Sequence, residues 1–239
     1  MIMKCPNCNA TDHEEGARFC HICGNKLLGN NEAITLSPER LRSAFPPDIM
    51  NKLDNEIAID LGLPSGTRWA SCNVGASKPQ ECGEYFAWGE IETKEEYSWN
   101  TYSLCKNGDK RSCHNIGFAA IMWGSKYDVA HMNWGGRWRM PTHEQFMELI
   151  NECTFQWTEI NFIWGGKFIS RTNDNSIFLP ATGIAKDNEI SSCGQGFYWS
   201  CEFDLEHNSN AFALCCSDYR VNCVNSFRKN GLAVRPVIL

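Results

Sequence analysis

The stretch "NWGGRWRMPTHEQFMELI", residues 133–150, contains the strongest local signals of structure in the chain. Thr142 is followed three residues later by Gln145, which is the pattern of a capping box and predicts that a helix begins at this point. Apolar side chains then recur at helical spacing, at Phe146, Leu149, Ile150 and Cys153. The pattern therefore predicts a helix with one apolar stripe that faces a core.

The residues just before this helix allow two interpretations, an active site or a framework. Trp134 and Trp138 flank a glycine pair that allows the chain to turn sharply. Large aromatic side chains in such a place usually fill a wedge between a helix and a sheet. Arg139 is expected to fix the loop by pairing with a carboxylate. We interpret the stretch as framework, which places the functional residues elsewhere in the chain.

The composition is that of an ordinary soluble globular protein. Of the 239 residues, 43% are apolar and 21% are charged. The net charge of −6 provides no general attraction to nucleic acid or to an anionic membrane. No segment has the pattern of an export signal or a membrane span, so we expect a cytoplasmic protein whose 14 cysteines are reduced thiols or metal ligands.

Two C-x-x-C pairs near the start of the chain predict a structural zinc site. The pairs are Cys5 with Cys8 and Cys20 with Cys23, and each can direct two thiolates at one tetrahedral Zn²⁺. So short a segment buries too little apolar surface to fold alone, and one zinc ion would supply most of its folding free energy. The charges of residues 1–30 balance, which favours a structural or protein-contact role over nucleic-acid binding. We assign residues 1–28 to a zinc ribbon.

Two further regions follow the ribbon. Residues 29–56 are predicted to form a linker with one short helix, because Ser37 and Pro38 are residue types preferred at a helix start. From residue 57 onward, short apolar runs alternate with Gly, Pro and Ser, which is typical of a loop-rich β structure with inserted helices. We assign residues 57–239 to one large domain.

Six segments of the large domain, taken in order, resemble the Fibrobacter succinogenes major paralogous domain. They are "DLGLPSGTRWASCNVGAS", "GEYFAWGE", "NWGGRWRMPTHEQFMELI", "NSIFLPATG", "GFYWS" and "GLAVRPV". The likeness extends from about residue 57 to residue 239. This family, abundant in gut Bacteroides-type bacteria, is similar to C-type-lectin-like folds. That broad group also holds the formylglycine-generating enzymes and the variable proteins of diversity-generating retroelements.

The resemblance implies an α+β fold, a C-type-lectin-like domain with a twisted antiparallel sheet, two helices and long irregular loops. The other helix would lie in "SKYDVAHMNW", near residues 125–133, with Ser125 as its N-cap. In such a fold the sheet supports loops that contact a ligand. The resemblance therefore implies a non-catalytic recognition protein.

Ligand contact is expected in the C-terminal third, where "FYWS", "NAFALCC", "YRVNCV" and "GLAVRPVIL" are predicted strands. Asn, Ser and Tyr between them suit an adaptable surface that binds a protein or a glycan, although ordinary turn and edge chemistry would place the same residue types there. The candidates are Glu202, Asp204, Asn208, Asn210, Ser217, Tyr219, Asn222, Asn225 and Arg228. The tail also resembles the variable region of retroelement-diversified proteins.

Other functions and ligands stay open at this point. An enzyme related to the formylglycine-generating oxidases would need a cysteine of lowered pKa, and a structural adaptor would act through the ribbon. Cys105, Cys113 and His114 have ligand types that suit a metal, but the set is incomplete. The E-P-N, Q-P-D and W-N-D triplets of sugar-binding C-type lectins do not occur in the sequence, so we expect no dedicated calcium site.

Overall fold

The computed structural model describes Asp54 and residues 57–113 and 123–239. This part of the chain contains two α-helices and thirteen β-strands. The predicted zinc ligands Cys5, Cys8, Cys20 and Cys23, the linker helix and His114 lie outside the described residues. The zinc ribbon accordingly stays a prediction.

The secondary structure elements are short and follow one another closely. The helices are α1 (Val129–Trp134) and α2 (His143–Glu152), with a 3-10 turn at Lys110–Ser112. The strands before and just after α2 are β1 (Ala58–Asp60), β2 (Arg68–Ala70), β3 (Phe86–Ala87), β4 (Cys153–Ile160), β5 (Ile163–Ser170) and β6 (Ser176–Pro180). The remaining strands are β7 (Ile184–Lys186), β8 (Glu189–Ser191), β9 (Gly196–Phe203), β10 (Asn210–Cys216), β11 (Val221–Phe227), β12 (Gly231–Leu232) and β13 (Val237–Ile238).

Antiparallel pairing dominates and is divided among four small sheets. Their strand orders are β1-β2-β13, β11-β10-β9, β3-β12-β7-β8 and β4-β5-β6. All paired strands run antiparallel. Within the described ranges, the bridge between Tyr198 and Ala233 is the one parallel contact. Mostly antiparallel sheets with two helices agree with the predicted α+β class.

Helix α2 begins as the sequence predicted. The Thr142 hydroxyl accepts a hydrogen bond from the Gln145 backbone N–H at 3.1 Å, and the Gln145 side chain accepts one from the Thr142 N–H at 2.9 Å. This is the reciprocal pattern of a capping box. Phe146 and Leu149 are completely buried, so the predicted apolar stripe faces the core.

Helix α1 is shorter than predicted and begins at a different cap. Asp128, rather than Ser125, is the N-cap and accepts a hydrogen bond from the His131 N–H at 3.1 Å. The same buried carboxylate also accepts hydrogen bonds from the N–H groups of Met140 at 3.0 Å and Gly124 at 2.8 Å. Asp and Ser are equally preferred at an N-cap, so residue preference alone could not distinguish Asp128 from Ser125. The two partners outside the helix add to the hydrogen bonds that fix Asp128. Burial raises the pKa of Asp128, while its three backbone hydrogen bonds oppose that rise.

The tryptophans before α2 are framework, as predicted. Trp138 has no exposed surface, and its indole N–H donates to the Asp54 carboxylate at 2.7 Å. Trp134 packs edge-on against it with ring centroids 5.0 Å apart. The Arg139 guanidinium donates to the carbonyl oxygen of Gly136 at 2.7 Å, and thereby holds the turn that the glycine pair makes.

A second arginine, Arg235, ties the end of the chain to two earlier segments from inside the core. It is completely buried, and its guanidinium donates to four neutral oxygens. They are the Asn73 side-chain oxygen at 2.8 Å and the backbone carbonyls of Ala70, Ser71 and Phe178 at 3.1, 3.2 and 2.9 Å. Burial lowers the pKa of Arg235 to about 10, which still leaves it charged at neutral pH.

Replacing Arg235 with methionine tests this arrangement. The variant keeps most of the side-chain volume but leaves the four buried oxygens without their donor, and each unsatisfied group costs about 1–3 kcal/mol. We expect urea unfolding to show a loss of free energy of unfolding of about 3–5 kcal/mol. Arg137→Met, a control at an exposed arginine, should change it by less than about 0.5 kcal/mol. Equal stability of the Arg235→Met variant and the wild type would contradict the proposed role.

Candidate functional site

The residues predicted to bind a ligand lie in the sheet of β9, β10 and β11 and in the segments that connect or follow its strands. One face of the sheet packs with α2 through Leu214 and Cys216, and the other packs with Trp88 through Trp199 of β9 and Ala213 of β10. Both faces are therefore largely covered by described residues. In the described part of the chain, the two ends of the strands and the outer edge of β11 are what remains accessible to a ligand.

The predicted residues divide between the two ends of this sheet. Six of them lie around the β9–β10 connection: Glu202, Asp204, Asn208, Asn210, Asn225 and Arg228. Ser217 and Tyr219 lie at the β10–β11 turn, and Asn222 lies just inside β11. The structure therefore does not bring them together into one site.

Asp204 organises the β9–β10 connection. One carboxylate oxygen accepts hydrogen bonds from the Asn225 amide at 2.7 Å and from the His207 ring at 2.9 Å. The other accepts from the backbone N–H groups of Glu206 at 2.8 Å and His207 at 3.2 Å. Burial alone would raise the pKa of Asp204, but these hydrogen bonds outweigh it and the pKa is lowered. Asp204 is 5% exposed, so its role here is to hold the loop.

Two of the predicted contact residues have no exposed surface and need correction. Arg228 donates to the Tyr102 hydroxyl at 3.0 Å and to the Asn208 carbonyl at 3.1 Å, and its guanidinium lies 4.5 Å from the centre of the Trp88 ring. Ser217 is also completely buried. Both side chains belong to the framework, because a surface ligand cannot reach them. Tyr219, by contrast, is 67% exposed.

Large exposed apolar side chains gather at the end of the domain where Tyr219 lies. We call this surface the aromatic end, and it consists of Phe162, Ile163, Trp164, Ile190 and Tyr219. Phe162 is 92% exposed, and Trp164 is 50% exposed. Exposed apolar groups of this size that lie together usually mark an interaction site.

Direct contacts connect the segments of the aromatic end. The Ala181 N–H donates to the Trp164 carbonyl at 2.8 Å, and the Gly183 N–H donates to the Gln195 carbonyl at 2.8 Å. The Gln195 amide in turn donates to the Tyr219 hydroxyl at 2.9 Å. These contacts place the start of β5, just after the β4–β5 turn, and the β10–β11 turn at the same end of the domain.

These segments also approach each other closely beneath the surface. A side-chain carbon at Gly196 would lie 2.7 Å from the Cys216 sulfur and 2.9 Å from the Pro180 carbonyl oxygen. Only glycine fits at such distances. The close approach of β9 to β6 and β10 makes the base of the aromatic end rigid.

Phe162 has an unusual backbone conformation. Ile160 pairs with Ile163, so Asn161 and Phe162 form a two-residue turn, with φ values of 51° and 66°. Asparagine accepts a positive φ readily and glycine is the usual second residue, whereas a bulky side chain there is an outlier. Such strain typically costs on the order of 1–3 kcal/mol. The strain therefore falls at the aromatic residue with the largest exposed fraction among the described residues.

Sequence reasoning missed most of the aromatic end. Asn161 is a residue type common in turns, but Asn-Phe is not one of the usual two-residue hairpin signals, so local sequence alone did not predict the β4–β5 turn. Nothing local indicates that this turn lies beside Tyr219, more than fifty residues later in the chain. Tyr219 is the one predicted residue that belongs to this surface.

An open cleft of about 360 Å³ lies beside the β7–β8 hairpin. Tyr85 and Tyr97 line it, together with the carboxylates Glu84, Glu95, Asp187 and Glu189. The Lys229 ammonium group donates to the Asp187 carboxylate at 3.3 Å, which offsets part of the negative charge. Lys94 also lines the cleft, so with Lys229 two ammonium groups stand against four carboxylates, and the remaining negative charge disfavours an anionic ligand.

The cysteines of the described residues give little support to thiol catalysis. Burial raises the pKa of the Cys153 and Cys223 thiols to about 11 and that of Cys216 to about 12. Burial also raises the pKa of Cys72, Cys82, Cys201 and Cys215. A nucleophilic cysteine needs the opposite shift.

Cys105 and Cys113 form a disulfide, with Cα atoms 4.0 Å apart. This corrects two expectations for the pair, namely reduced thiols and a metal cluster with His114, because both sulfurs are used in the bond. Among the described residues, no group of three His, Cys, Asp or Glu side chains could hold a metal ion. No helix in the same ranges has the length and apolarity needed to cross a membrane.

Thiol alkylation across a pH series tests the assignment of the cysteines. Mass spectrometry after iodoacetamide treatment should show that Cys153, Cys216 and Cys223 react slowly at neutral pH and faster only above about pH 9, where thiolate begins to form. Cys105 and Cys113 should react only after reduction. Urea-unfolded protein serves as the control in which every thiol reacts. A thiol among these three that is alkylated at pH 7 as fast in folded as in unfolded protein would contradict the assignment.

Replacing Asp204 with asparagine tests whether this carboxylate holds the β9–β10 connection in place. The variant should lose about 1–3 kcal/mol of free energy of unfolding at pH 7, because buried donors lose their acceptor. Because the pKa of Asp204 is lower in the folded protein than in the unfolded chain, the ionised carboxylate stabilises the fold at any pH above its unfolded pKa of about 3.9. This contribution is lost as the pH falls through the pKa of the folded state. The difference between wild type and variant should accordingly shrink in urea unfolding at pH 3. Glu206→Gln is the control, and equal stability of wild type and Asp204→Asn at pH 7 would exclude the role.

Comparison with known proteins identified no relative. The chain matches no protein-family model, no curated protein and no solved structure. The function must therefore be argued from the site itself.

Proposed function

We propose that this chain is a non-catalytic recognition protein whose large domain binds a protein or glycan surface through the aromatic end. The domain would have the C-type-lectin-like fold that its resemblance to the Fibrobacter succinogenes major paralogous domain implies. Mostly antiparallel sheets, two helices and the capping box of α2 support that assignment. A zinc ribbon with Cys5, Cys8, Cys20 and Cys23 around one Zn²⁺ would precede it.

The observation that carries the proposal is Phe162. Its ring is 92% exposed on a backbone with φ of 66°, where glycine would cost less. An arrangement that costs stability and buries nothing within its own chain is typical of a functional surface. Burial of this ring against a partner would recover the hydrophobic free energy that the free protein lacks.

The neighbouring side chains have the chemistry of binding hot spots. Trp, Tyr and Arg are the residue types that contribute most to protein interfaces. Trp164 and Tyr219 supply the first two, and the Arg220 guanidinium lies 5.4 Å from the centre of the Tyr219 ring. Aromatic faces also stack on the apolar faces of sugar rings, so the surface suits a glycan as well as a protein. Because Gln195 holds the Tyr219 hydroxyl, little ordering entropy is lost when Tyr219 binds.

The alternatives have less support. An oxidase of the formylglycine-generating type needs an activated cysteine, and burial raises the pKa of seven thiols in the large domain. An adaptor that acts through the zinc ribbon would depend on residues outside the described ranges. Diversification of the tail by a retroelement would alter the exposed position Tyr219 without disturbing the buried frame, whereas a change at Asn225 would remove a hydrogen bond to Asp204.

Binding measurements on two variants test the proposal. Wild type is first screened on a glycan array and by affinity capture from cell lysates with quantitative mass spectrometry, which provides the ligand. Trp164→Ala combined with Tyr219→Ala should weaken binding of that ligand at least tenfold. Leu205→Ala, a control with 73% exposure at the other end of the sheet, should leave binding unchanged. Equal binding by the double variant, or no ligand in either screen, would contradict the proposal.

Phe162→Gly separates recognition from stability. Glycine relieves the positive φ, so the free energy of unfolding should rise by about 1 kcal/mol. Binding of the same ligand should nevertheless fall, because the exposed ring is lost. A variant that is more stable and binds equally well would show that Phe162 has no role in recognition.

A further inference from the structure

Within the described residues, no strand pairs with the outer edge of β11, and the pattern of hydrogen bonds shows which of its residues face outward. The Arg228 N–H donates to the Ser209 carbonyl at 2.9 Å, and the Ser217 N–H donates to the Arg220 carbonyl at 2.8 Å. Because hydrogen-bonded pairs alternate in an antiparallel ladder, the even-numbered residues of β11 bond to β10. The N–H and C=O groups of the odd-numbered residues must therefore point away from the sheet.

The outward residues are Val221, Cys223, Asn225 and Phe227. Of their backbone groups, the Phe227 carbonyl accepts a hydrogen bond from the Asn230 N–H at 2.9 Å. In the part of the chain that the structure describes, no strand pairs with this edge. The edge thus presents a row of donors and acceptors at the spacing of an extended polypeptide.

This edge lacks the charges that protect other edges of the same protein. The edge strands β1, β4 and β8 carry Asp60, Glu159 and Glu189. β11 is seven residues long, "VNCVNSF", and contains no charged residue and no proline. Natural sheet edges are usually blocked by charge, proline or a bulge, since an open edge pairs with other strands. The edge strands β3 and β13 are uncharged as well, but each is only two residues long, so among the described edge strands of three or more residues β11 alone lacks both a charge and a proline. This makes β11 the edge most open to pairing.

The sequence of β11 suits a second copy of itself. If two β11 strands pair antiparallel about a two-fold axis at Val224, the middle residue, all seven residues of each strand have a partner in the other. This register sets Val221 opposite Phe227 and Val224 opposite Val224, so apolar side chains meet apolar ones. It also sets Asn222 opposite Ser226, and Cys223 opposite Asn225. In this register the outward residues face one another, so their open N–H and C=O groups find partners.

We infer that two copies of this chain associate through β11, strand against antiparallel strand, about a two-fold axis at Val224. The two three-stranded sheets would then form one continuous six-stranded sheet. Pairing of identical patches about a two-fold axis is the commonest way in which soluble proteins form dimers. The inference does not depend on the function of the aromatic end.

A proline at an outward position tests the interface. Cys223→Pro removes an N–H that makes no bond to β10 and blocks the added strand, whereas Cys223→Ser keeps the N–H. Sedimentation of the full chain at high micromolar concentration should give a dimer for wild type and for Cys223→Ser, and half that mass for Cys223→Pro. Circular dichroism of the three proteins checks that each is folded. A monomeric wild type, or a dimer that persists in folded Cys223→Pro, would overturn the inference.

Cross-linking tests the register and does not depend on the proline variant. In a non-hydrogen-bonded antiparallel pair the Cα atoms lie about 4.5 Å apart, within the range of a disulfide. Oxidised Val224→Cys, made with Cys223→Ser, should therefore form a covalent dimer joined at position 224, as peptide mass spectrometry shows. Leu205→Cys in the same background controls for random collision. Cross-linking that is as efficient at position 205 as at position 224, or absent at 224, would exclude this register.

Discussion

The charge of Arg235 is buried among neutral oxygens, and this constraint fixes the positions of three segments at once. The guanidinium needs Asn73, the carbonyls after β2 and the carbonyl of Phe178 together, because a missing acceptor would leave an unsolvated charge. Arg228 has a comparable position beside Trp88 and Tyr102. The C-terminal strands are therefore anchored from inside, which frees their turns and outer edge for contacts with other molecules.

Local signals predicted the parts of the fold that local interactions decide. The capping box of α2 needs only Thr142 and Gln145, and both were recognised in the sequence. Asp and Ser are equally preferred at an N-cap, so residue preference could not decide between Ser125 and Asp128, and Asp128 is also held by the Met140 N–H beyond the helix. Strands β9, β10 and β11 were expected from their apolar runs. The arrangement of the thirteen strands into four sheets, by contrast, depends on pairing between distant segments, which no short window of sequence contains.

The candidate site shows even more clearly that local sequence does not reveal long-range contacts. Residue type selected polar side chains along the tail, yet Arg228 and Ser217 are buried, and Asp204 serves mainly to hold a loop. Alternation along a strand decides which side chains are exposed, and loop length decides which turns are neighbours. Phe162 and Trp164 were missed because their surface exists only where two distant turns meet. The strained turn at Phe162, on which the proposed recognition surface depends, was therefore not among the predicted residues.

The pairing of the first and last strands has a mechanical consequence. Asp60 lies opposite Arg68 in β1 and β2, and Arg68 lies opposite Ile238 in β13. The first and last strands of the large domain thus lie in the same small sheet, and because both run antiparallel to β2 they run parallel to each other. The start of β1 and the end of β13 therefore lie at opposite ends of this sheet, so a tensile load applied between them would shear its hydrogen bonds together rather than open them one after another. Arg235 lies two residues before β13, so drawing β13 out of the sheet would also pull the guanidinium away from its four oxygens.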